Sequence, residues 1–235
     1  MINMSEIRTT LQRPIKGKRP LEIEVAIHPY FNGIIVVNYP GITGDIDGYN
    51  NKYGKQADFV QKKKIGTVVR MGNPYFDELP YPEGMIDNFK FVLDHCLING
   101  KELSGKQNPT LYLMGFSAGA STIAAVAGDY TKVKKILLMA PSGDAGQKAV
   151  EKGLRKFKGE VYIAVGDRDN MVSPQAGQIF YDFAIAAKLK KLEIIPNCNH
   201  QFTGEVNGKI MSKAPLWAFA GDTTFPSPKG GKILY

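Results

Sequence analysis

Apolar residues recur along the chain with two periods, one typical of strands and one typical of helices. The segment 21–28 alternates apolar with polar or small residues, which predicts an early strand with one exposed face. Short apolar runs typical of buried strands occupy 33–37, 65–70, 111–114, 135–139, 161–165 and 191–195. Apolar residues at helical spacing predict helices around 49–60, 85–96, 118–127, 150–157 and 174–187.

Strands that alternate with helices in this way predict an α/β fold, with a mostly parallel, doubly wound sheet flanked by helices. The 235 residues are enough for a single domain with one sizeable core, and we expect residues 1–235 to form it. Between the predicted strands at 135–139 and 161–165 there is room for only one helix. The length of that connection therefore excludes a large cap domain there.

One predicted strand leads into a turn that carries candidate chemistry. Gly115-Phe116-Ser117-Ala118-Gly119 follows an apolar run and precedes a helix of small residues. This is the strand–turn–helix context in which Gly-x-Ser-x-Gly exposes a nucleophilic serine at the tip of a sheet. Small residues also favour tight turns without any catalytic role, but the flanking elements favour Ser117 as the nucleophile.

A nucleophilic serine needs a base, and the base needs an acid to orient it. His200 is the only histidine after Ser117, and it follows the predicted strand at 191–195. Two candidate acids, Asp167 and Asp169, follow the strand at 161–165. At this point both aspartates stay open.

These three segments resemble the α/β-hydrolase family over roughly residues 20–205, because serine, acid and histidine occur in that family's order and each follows a predicted strand. The resemblance implies that Asp169, in Gly166-x-x-Asp-x-x-Val172, is preferred as the acid, with Asp167 as the alternative. It also implies an oxyanion hole made by the backbone N–H groups of Ala118 and Ile42. The family often has His-Gly where this chain has Pro40-Gly41. The length is also similar to that of the small dienelactone-hydrolase-like members, but those carry a cysteine nucleophile.

The charge and the cysteine content argue against several other classes of protein. The formal net charge is +8, yet the lysines are dispersed and form no aromatic-interleaved basic run, which argues against nucleic-acid binding. Cys96 and Cys198 are too few for a disulfide scaffold. With no leader and no apolar stretch long enough for a membrane span, we expect a cytoplasmic protein. We predict no cofactor and no metal.

The predicted function is that of a serine hydrolase, in particular a carboxylesterase for small esters with a Ser117–His200–Asp169 triad. Two alternatives remain: an acyltransferase that uses the same acyl-enzyme, and an inactive hydrolase fold that acts as a binding module. Without a lid the site should be open and favour short acyl chains. The aromatic loop 73–82 is a candidate wall for the substrate pocket, or else a simple packing element.

The C-terminal segment 206–235 departs from the single long closing helix expected by resemblance. Gly208 and Pro215 interrupt the helical pattern, so we expect an irregular extension rather than one helix. The segment nevertheless contains the chain's single tryptophan and a terminal Ile233-Leu234-Tyr235. Such apolar content predicts that it packs on the domain or on a second subunit, which makes a homodimer one of the expected assemblies.

Overall fold

The computed structural model describes residues 6–74, 83–222 and 224–226. Within them the chain forms an eight-stranded sheet in the order β1-β2-β4-β3-β5-β6-β7-β8. The strands are β1 (Ile7–Arg13), β2 (Leu21–His28), β3 (Ile34–Tyr39), β4 (Thr67–Met71), β5 (Thr110–Phe116), β6 (Val133–Met139), β7 (Glu160–Gly166) and β8 (Leu189–Ile195). β2 runs antiparallel to β1 and β4, and the other neighbouring pairs are parallel.

Helices cover both faces of the sheet, as the alternating pattern predicted. They are α1 (Lys52–Lys62), α2 (Glu83–Ile98), α3 (Gly100–Ser104), α4 (Ala118–Val126), α5 (Gln147–Lys156), α6 (Ser173–Phe183) and α7 (Glu205–Phe219). The core on one face contains residues of α2, α4, α5 and α6, and the core on the other face contains residues of α1 and α7. Between β6 and β7 only α5 is present, so no large cap is inserted there.

Side chains of the central strands alternate between the two cores. In β3, Ile35 and Val37 belong to the core under α2 and α4, whereas Val36 belongs to the core under α1 and α7. All three are fully buried, since a parallel strand inside a doubly wound sheet is covered on both faces. This explains why such strands appear in the sequence as continuous apolar runs.

The edge strand β1 has no counterpart among the predicted elements. Its residues IRTTLQR are mostly exposed, so neither an apolar run nor a clear alternation marks it. It is a strand because it pairs along its whole length with the predicted strand β2, from Ile7 opposite Ile27 to Arg13 opposite Leu21. Tertiary pairing rather than local pattern therefore defines this element.

The prediction that the segment after 206 cannot form one helix is wrong for residues 205–219. α7 continues through Gly208 and Pro215. A proline within a helix leaves the carbonyl four residues earlier without its usual donor. Here that carbonyl belongs to Met211, and the Gln56 side chain of α1 donates to it at 3.0 Å. A hydrogen bond from a neighbouring helix thus replaces the one that Pro215 cannot make.

The aromatic residues of this C-terminal segment that the structure describes, Trp217, Phe219 and Phe225, are buried. Trp217 is 1% exposed, and its ring lies 4.9 Å, edge to face, from each of the rings of Tyr162 and Phe225. Phe219 stacks on Tyr112 of β5 at 5.3 Å. The terminal residues 233–235 lie outside the described residues. None of the helices in the described parts of the chain has the length and apolar character needed to span a bilayer.

Candidate active site

The candidate residues meet at the carboxyl edge of the sheet, where the strand order changes direction. β3 pairs with both β4 and β5, and the chain builds the sheet outward on both sides of it. Ligands of open α/β sheets bind at such switch points, outside the carboxyl ends of the strands. The loop after β3 and the turn after β5 both lie there.

Ser117 occupies the turn between β5 and α4 in a strained backbone conformation. Its φ of 53° and ψ of −120° fall outside the regions that non-glycine residues ordinarily adopt. The Ser117 N–H donates to the Met139 carbonyl at 2.9 Å, which holds the turn against β6. Gly119 lets the turn approach the β3 loop, because a Cβ atom there would lie 2.2 Å from the Pro40 oxygen.

Three side chains from three loops form one hydrogen-bonded chain at this edge. The His200 Nε2 atom lies 3.1 Å from Ser117 Oγ, and His200 Nδ1 lies 2.8 Å from Asp169 Oδ2. His200 and Asp169 are each 3% exposed, and Ser117 is 9% exposed. A carboxylate that accepts from the Nδ1–H leaves Nε2 free to accept the serine proton. The structure therefore brings together the three residues that the sequence proposed as a triad.

The second oxygen of Asp169 fixes the orientation of this carboxylate. Asp169 Oδ1 accepts hydrogen bonds from the backbone N–H groups of Met171 and Val172, both at 3.0 Å. The competing Asp167 has an exposed side chain, and its backbone N–H donates to the Ile195 carbonyl at 3.0 Å. Of the two candidate acids, Asp169 is the one that contacts His200.

Backbone contacts join the loop that carries the acid to the loop that carries the histidine. The Arg168 N–H donates to the Cys198 carbonyl at 3.0 Å. Gly166 permits this contact, since a Cβ atom at that position would lie 2.0 Å from the same oxygen. Cys198 is fully buried, and desolvation raises the pKa of its thiol to about 12. At neutral pH Cys198 is therefore a protonated packing residue, not a second nucleophile.

The two predicted oxyanion donors belong to the segments that meet at Ser117. Ala118 begins α4, so its N–H is one of the helix-terminal groups that have no partner within the helix. Gly41, just before Ile42, abuts the nucleophile, because a Cβ atom there would lie 3.4 Å from Ser117 Cβ. Within the described residues, neither the Ala118 nor the Ile42 N–H donates to a protein acceptor.

Asn73, the first residue of the predicted aromatic loop 73–82, has a role at this site that the sequence patterns did not assign to it. Its amide Nδ2 donates to the Gly41 carbonyl at 3.0 Å, and its Oδ1 accepts from the Tyr39 hydroxyl at 2.8 Å. The Gly41 carbonyl and the Ile42 N–H belong to one planar peptide unit and point in opposite directions. Asn73 therefore restrains the direction of the Ile42 N–H. The signal available in the sequence was the position of Asn73 just beyond the end of a predicted strand, here β4, which pairs with β3.

Lys52 is a second residue that the patterns missed. It begins α1, and its Nζ lies 3.8 Å from the ring centroid of Phe116, the residue before Ser117. Burial lowers the pKa of Lys52 to about 8, opposed by the Asp45 carboxylate. In the sequence it is one of many dispersed lysines, and only the tertiary contact distinguishes it.

The predicted aromatic wall 73–82 lies largely outside the described residues, since 75–82 are not among them. No cluster of three or more His, Cys, Asp or Glu side chains able to hold a metal ion occurs in the parts of the chain that the structure describes.

Comparison of this chain with known proteins finds similar structures but no matching sequences. No protein-family model matches the chain, and no curated protein matches it. Among solved structures, the chain is similar to Est1E from Butyrivibrio proteoclasticus, with a TM-score of 0.66 and 16% identity over 87% of this chain and 95% of that one. The chain has the α/β-hydrolase fold.

Two further structures of that fold are similarly related. An esterase from Pyrococcus furiosus has a TM-score of 0.63 and 14% identity over 83% of this chain and 84% of its own. An alpha-beta serine hydrolase homologue from Coxiella burnetii has a TM-score of 0.62 and 20% identity over 85% and 91%. Chemistry on this α/β-hydrolase fold must be argued from the site, because one fold hosts many activities.

Proposed function

We propose that the protein is a serine hydrolase that cleaves small carboxylic esters through an acyl-enzyme on Ser117. The observation that carries the proposal is the hydrogen-bonded chain from Asp169 through His200 to Ser117 at the switch point of the sheet. Each of its two contacts lies within the reach required for proton transfer and for orientation of the base.

In the acylation step, Ser117 Oγ attacks the ester carbonyl while His200 Nε2 accepts the serine proton. The imidazolium that forms is stabilised by Asp169, which also keeps the ring in the required tautomer. The carbonyl oxygen becomes negatively charged and accepts from the N–H groups of Ala118 and Ile42. His200 then gives its proton to the departing alcohol, and an acyl-Ser117 ester remains.

In the deacylation step, water enters as the nucleophile and His200 accepts its proton. A second tetrahedral intermediate uses the same two N–H donors, and its collapse returns the proton to Ser117 and releases the carboxylic acid. The chain's own groups thus supply the nucleophile, base, orienting acid and oxyanion donors. No step requires a metal ion or an organic cofactor.

The structural neighbours support ester hydrolysis over other uses of the fold. The Pyrococcus furiosus neighbour is described as an esterase, and a structure of Est1E holds bound ferulic acid, a carboxylic acid. An inactive binding module would have no need of a buried, hydrogen-bonded serine–histidine–aspartate arrangement.

The experiment that tests this proposal is a panel of ester, thioester and amide substrates against purified wild type and Ser117→Ala. We expect the wild type to hydrolyse short-chain esters and the variant to lose turnover by about 10⁶-fold, the cost of removing such a nucleophile in a well-studied protease. Product analysis with an added alcohol separates free acid from transferred ester. A wild type that is inactive towards every substrate would contradict the proposal.

A further inference from the structure

A cavity of about 770 Å³ opens between α1 and α7. Its lining includes residues of both helices and the residues Gln201 and Phe202, which directly follow His200. The proposed mechanism uses none of these lining residues. The cavity is large enough for a small organic group, because ligand pockets commonly measure about 300–1,000 Å³.

The ring of Phe116 contacts both the histidine of the triad and a lysine of the cavity lining. The Phe116 ring lies 5.0 Å from the His200 ring and 6.4 Å from the ring of Phe202, measured between centroids. On the cavity side, the Lys52 ammonium lies 3.8 Å from the Phe116 centroid. Lys52, which lines the cavity, and His200, which belongs to the triad, therefore both contact the ring of Phe116.

The charges around the cavity are predominantly positive. Among the described residues, five lysines and two carboxylates line it: Lys52, Lys55, Lys62, Lys209 and Lys213, with Asp58 and Glu205. Glu205 accepts from Lys209 at 2.5 Å, which partly neutralises the α7 side. The aromatic and thioether side chains of Phe59, Phe202 and Met211 add apolar surface. The lining therefore suits an apolar group that carries an anionic end.

Lys52 is the lysine best placed to meet such an anion near the reacting atoms. Its side chain is only partly exposed, and its desolvation opposes the charged form. A carboxylate or phosphate brought beside it would compensate that cost, because charge-assisted hydrogen bonds are among the stronger polar contacts. The face of Phe116 also favours a cation at this place.

We propose that the cavity between α1 and α7 is a substrate-selecting subsite that binds the anionic group of an ester, with Lys52 as its principal contact. The proposal rests on the proposed ester hydrolysis at Ser117 and specifies its substrate class as esters with a carboxylate or phosphate on a short apolar linker. The shape and charge of the lining then discriminate against neutral esters of the same size.

The test compares charged and neutral esters of matched size. Mono-4-nitrophenyl glutarate and 4-nitrophenyl valerate probe an anion in the acyl part, and 4-acetoxybenzoate and 4-acetoxybenzamide probe one in the alcohol part. The readout is the ratio of kcat/KM for the charged ester to that for the neutral ester. We expect Lys52→Met to lower this ratio by about 10- to 100-fold in at least one pair, as for loss of a hydrogen bond to a charged group.

Two further variants separate this role from a structural one. Lys52→Arg keeps the charge and should retain most of the ratio. Lys101→Met removes an exposed lysine of α3 outside the cavity and should leave the ratio and the basal activity unchanged. If, in each of the two substrate pairs, Lys52→Met changes the ratio no more than Lys101→Met does, the subsite proposal is wrong.

A binding experiment distinguishes failure of the subsite proposal from failure of the proposed catalysis at Ser117. Titration of 4-phenylbutyrate and of the neutral 4-phenylbutyramide into wild type and Lys52→Met requires no turnover. Tighter binding of the acid that depends on Lys52 supports the subsite even if no ester is cleaved. Equal binding of acid and amide overturns the subsite, even if Ser117 proves to be the nucleophile.

Discussion

Replacement of Asp169 by asparagine tests the hydrogen bonds of the site more sharply than truncation of the Asp169 side chain would. The asparagine keeps the shape of the side chain, so the buried position stays filled. The backbone N–H groups of Met171 and Val172, which now donate to Asp169 Oδ1 at 3.0 Å, require an oxygen there. The new amide must therefore turn its oxygen towards them and its NH₂ group towards His200.

This orientation reverses the hydrogen bond at the histidine. An NH₂ group facing Nδ1 can only donate, so the ring must carry its proton on Nε2. Nε2 lies 3.1 Å from Ser117 Oγ and would then donate to the serine instead of accepting its proton. We expect a loss of about 10⁴ in kcat, the effect of the equivalent change in a serine protease, or about 5.5 kcal/mol in the barrier.

The assay is the hydrolysis of a short 4-nitrophenyl ester by Asp169→Asn, with Asp167→Asn as the matched control. The control removes the same charge from an exposed side chain two residues away and should alter kcat by less than about threefold, because solvent and salt screen an exposed charge. Thermal unfolding of both variants verifies that they are folded. Loss of activity in Asp167→Asn with retention in Asp169→Asn would refute this reasoning.

Three further predictions follow from the packing and charges around the site. Gly119→Ala should abolish activity, because the new Cβ would lie 2.2 and 2.3 Å from the carbonyl oxygens of Pro40 and Tyr39 at the end of β3. The control Gly143→Ala should be active, because no atom lies within 4 Å of its new Cβ. Equal activities of the two variants would show that the close approach at Gly119 is not required. Trp217→Ala should lower the free energy of unfolding by about 3–5 kcal/mol, measured by urea denaturation, because the residue is 1% exposed; a change below about 1 kcal/mol would contradict its place in the core. Because burial lowers the pKa of Lys52 to about 8, with Asp45 favouring the charged form, the ammonium is charged below that pH and neutral above it. The preference for anionic esters should therefore weaken as pH rises from 7 to 9, and a preference that is constant over this range would argue against Lys52.

The sequence predicted the parts of the fold that depend on local patterns. Of the eight strands in the described residues, seven, β2 to β8, correspond to predicted segments. Central strands such as β3 and β4 are buried on both faces and are therefore mostly apolar, whereas β2 alternates buried apolar with exposed polar residues. The exposed strand β1 lacks that signal and exists through pairing with β2. The helix α7 was missed because the cost of Pro215 depends on Gln56, a distant residue that donates to the freed carbonyl.

The candidate site divides in the same way. Motif and order predicted that Ser117, His200 and Asp169 lie together, and they do, because each follows a strand whose end lies at one edge of a parallel sheet. Asn73 and Lys52 contact the site through separate elements, and no spacing in the sequence encodes those contacts. Polar residues whose role depends on which loop faces them are therefore visible only in the structure.

The measurement that tests the central proposal most directly is covalent labelling with a fluorophosphonate probe, followed by mass spectrometry of the labelled peptide. The account predicts one adduct, on Ser117, at a rate that falls sharply in Asp169→Asn and to zero in Ser117→Ala. Labelling that persists in Ser117→Ala, or no labelling of the folded wild type, would contradict the assignment of Ser117 as an activated nucleophile.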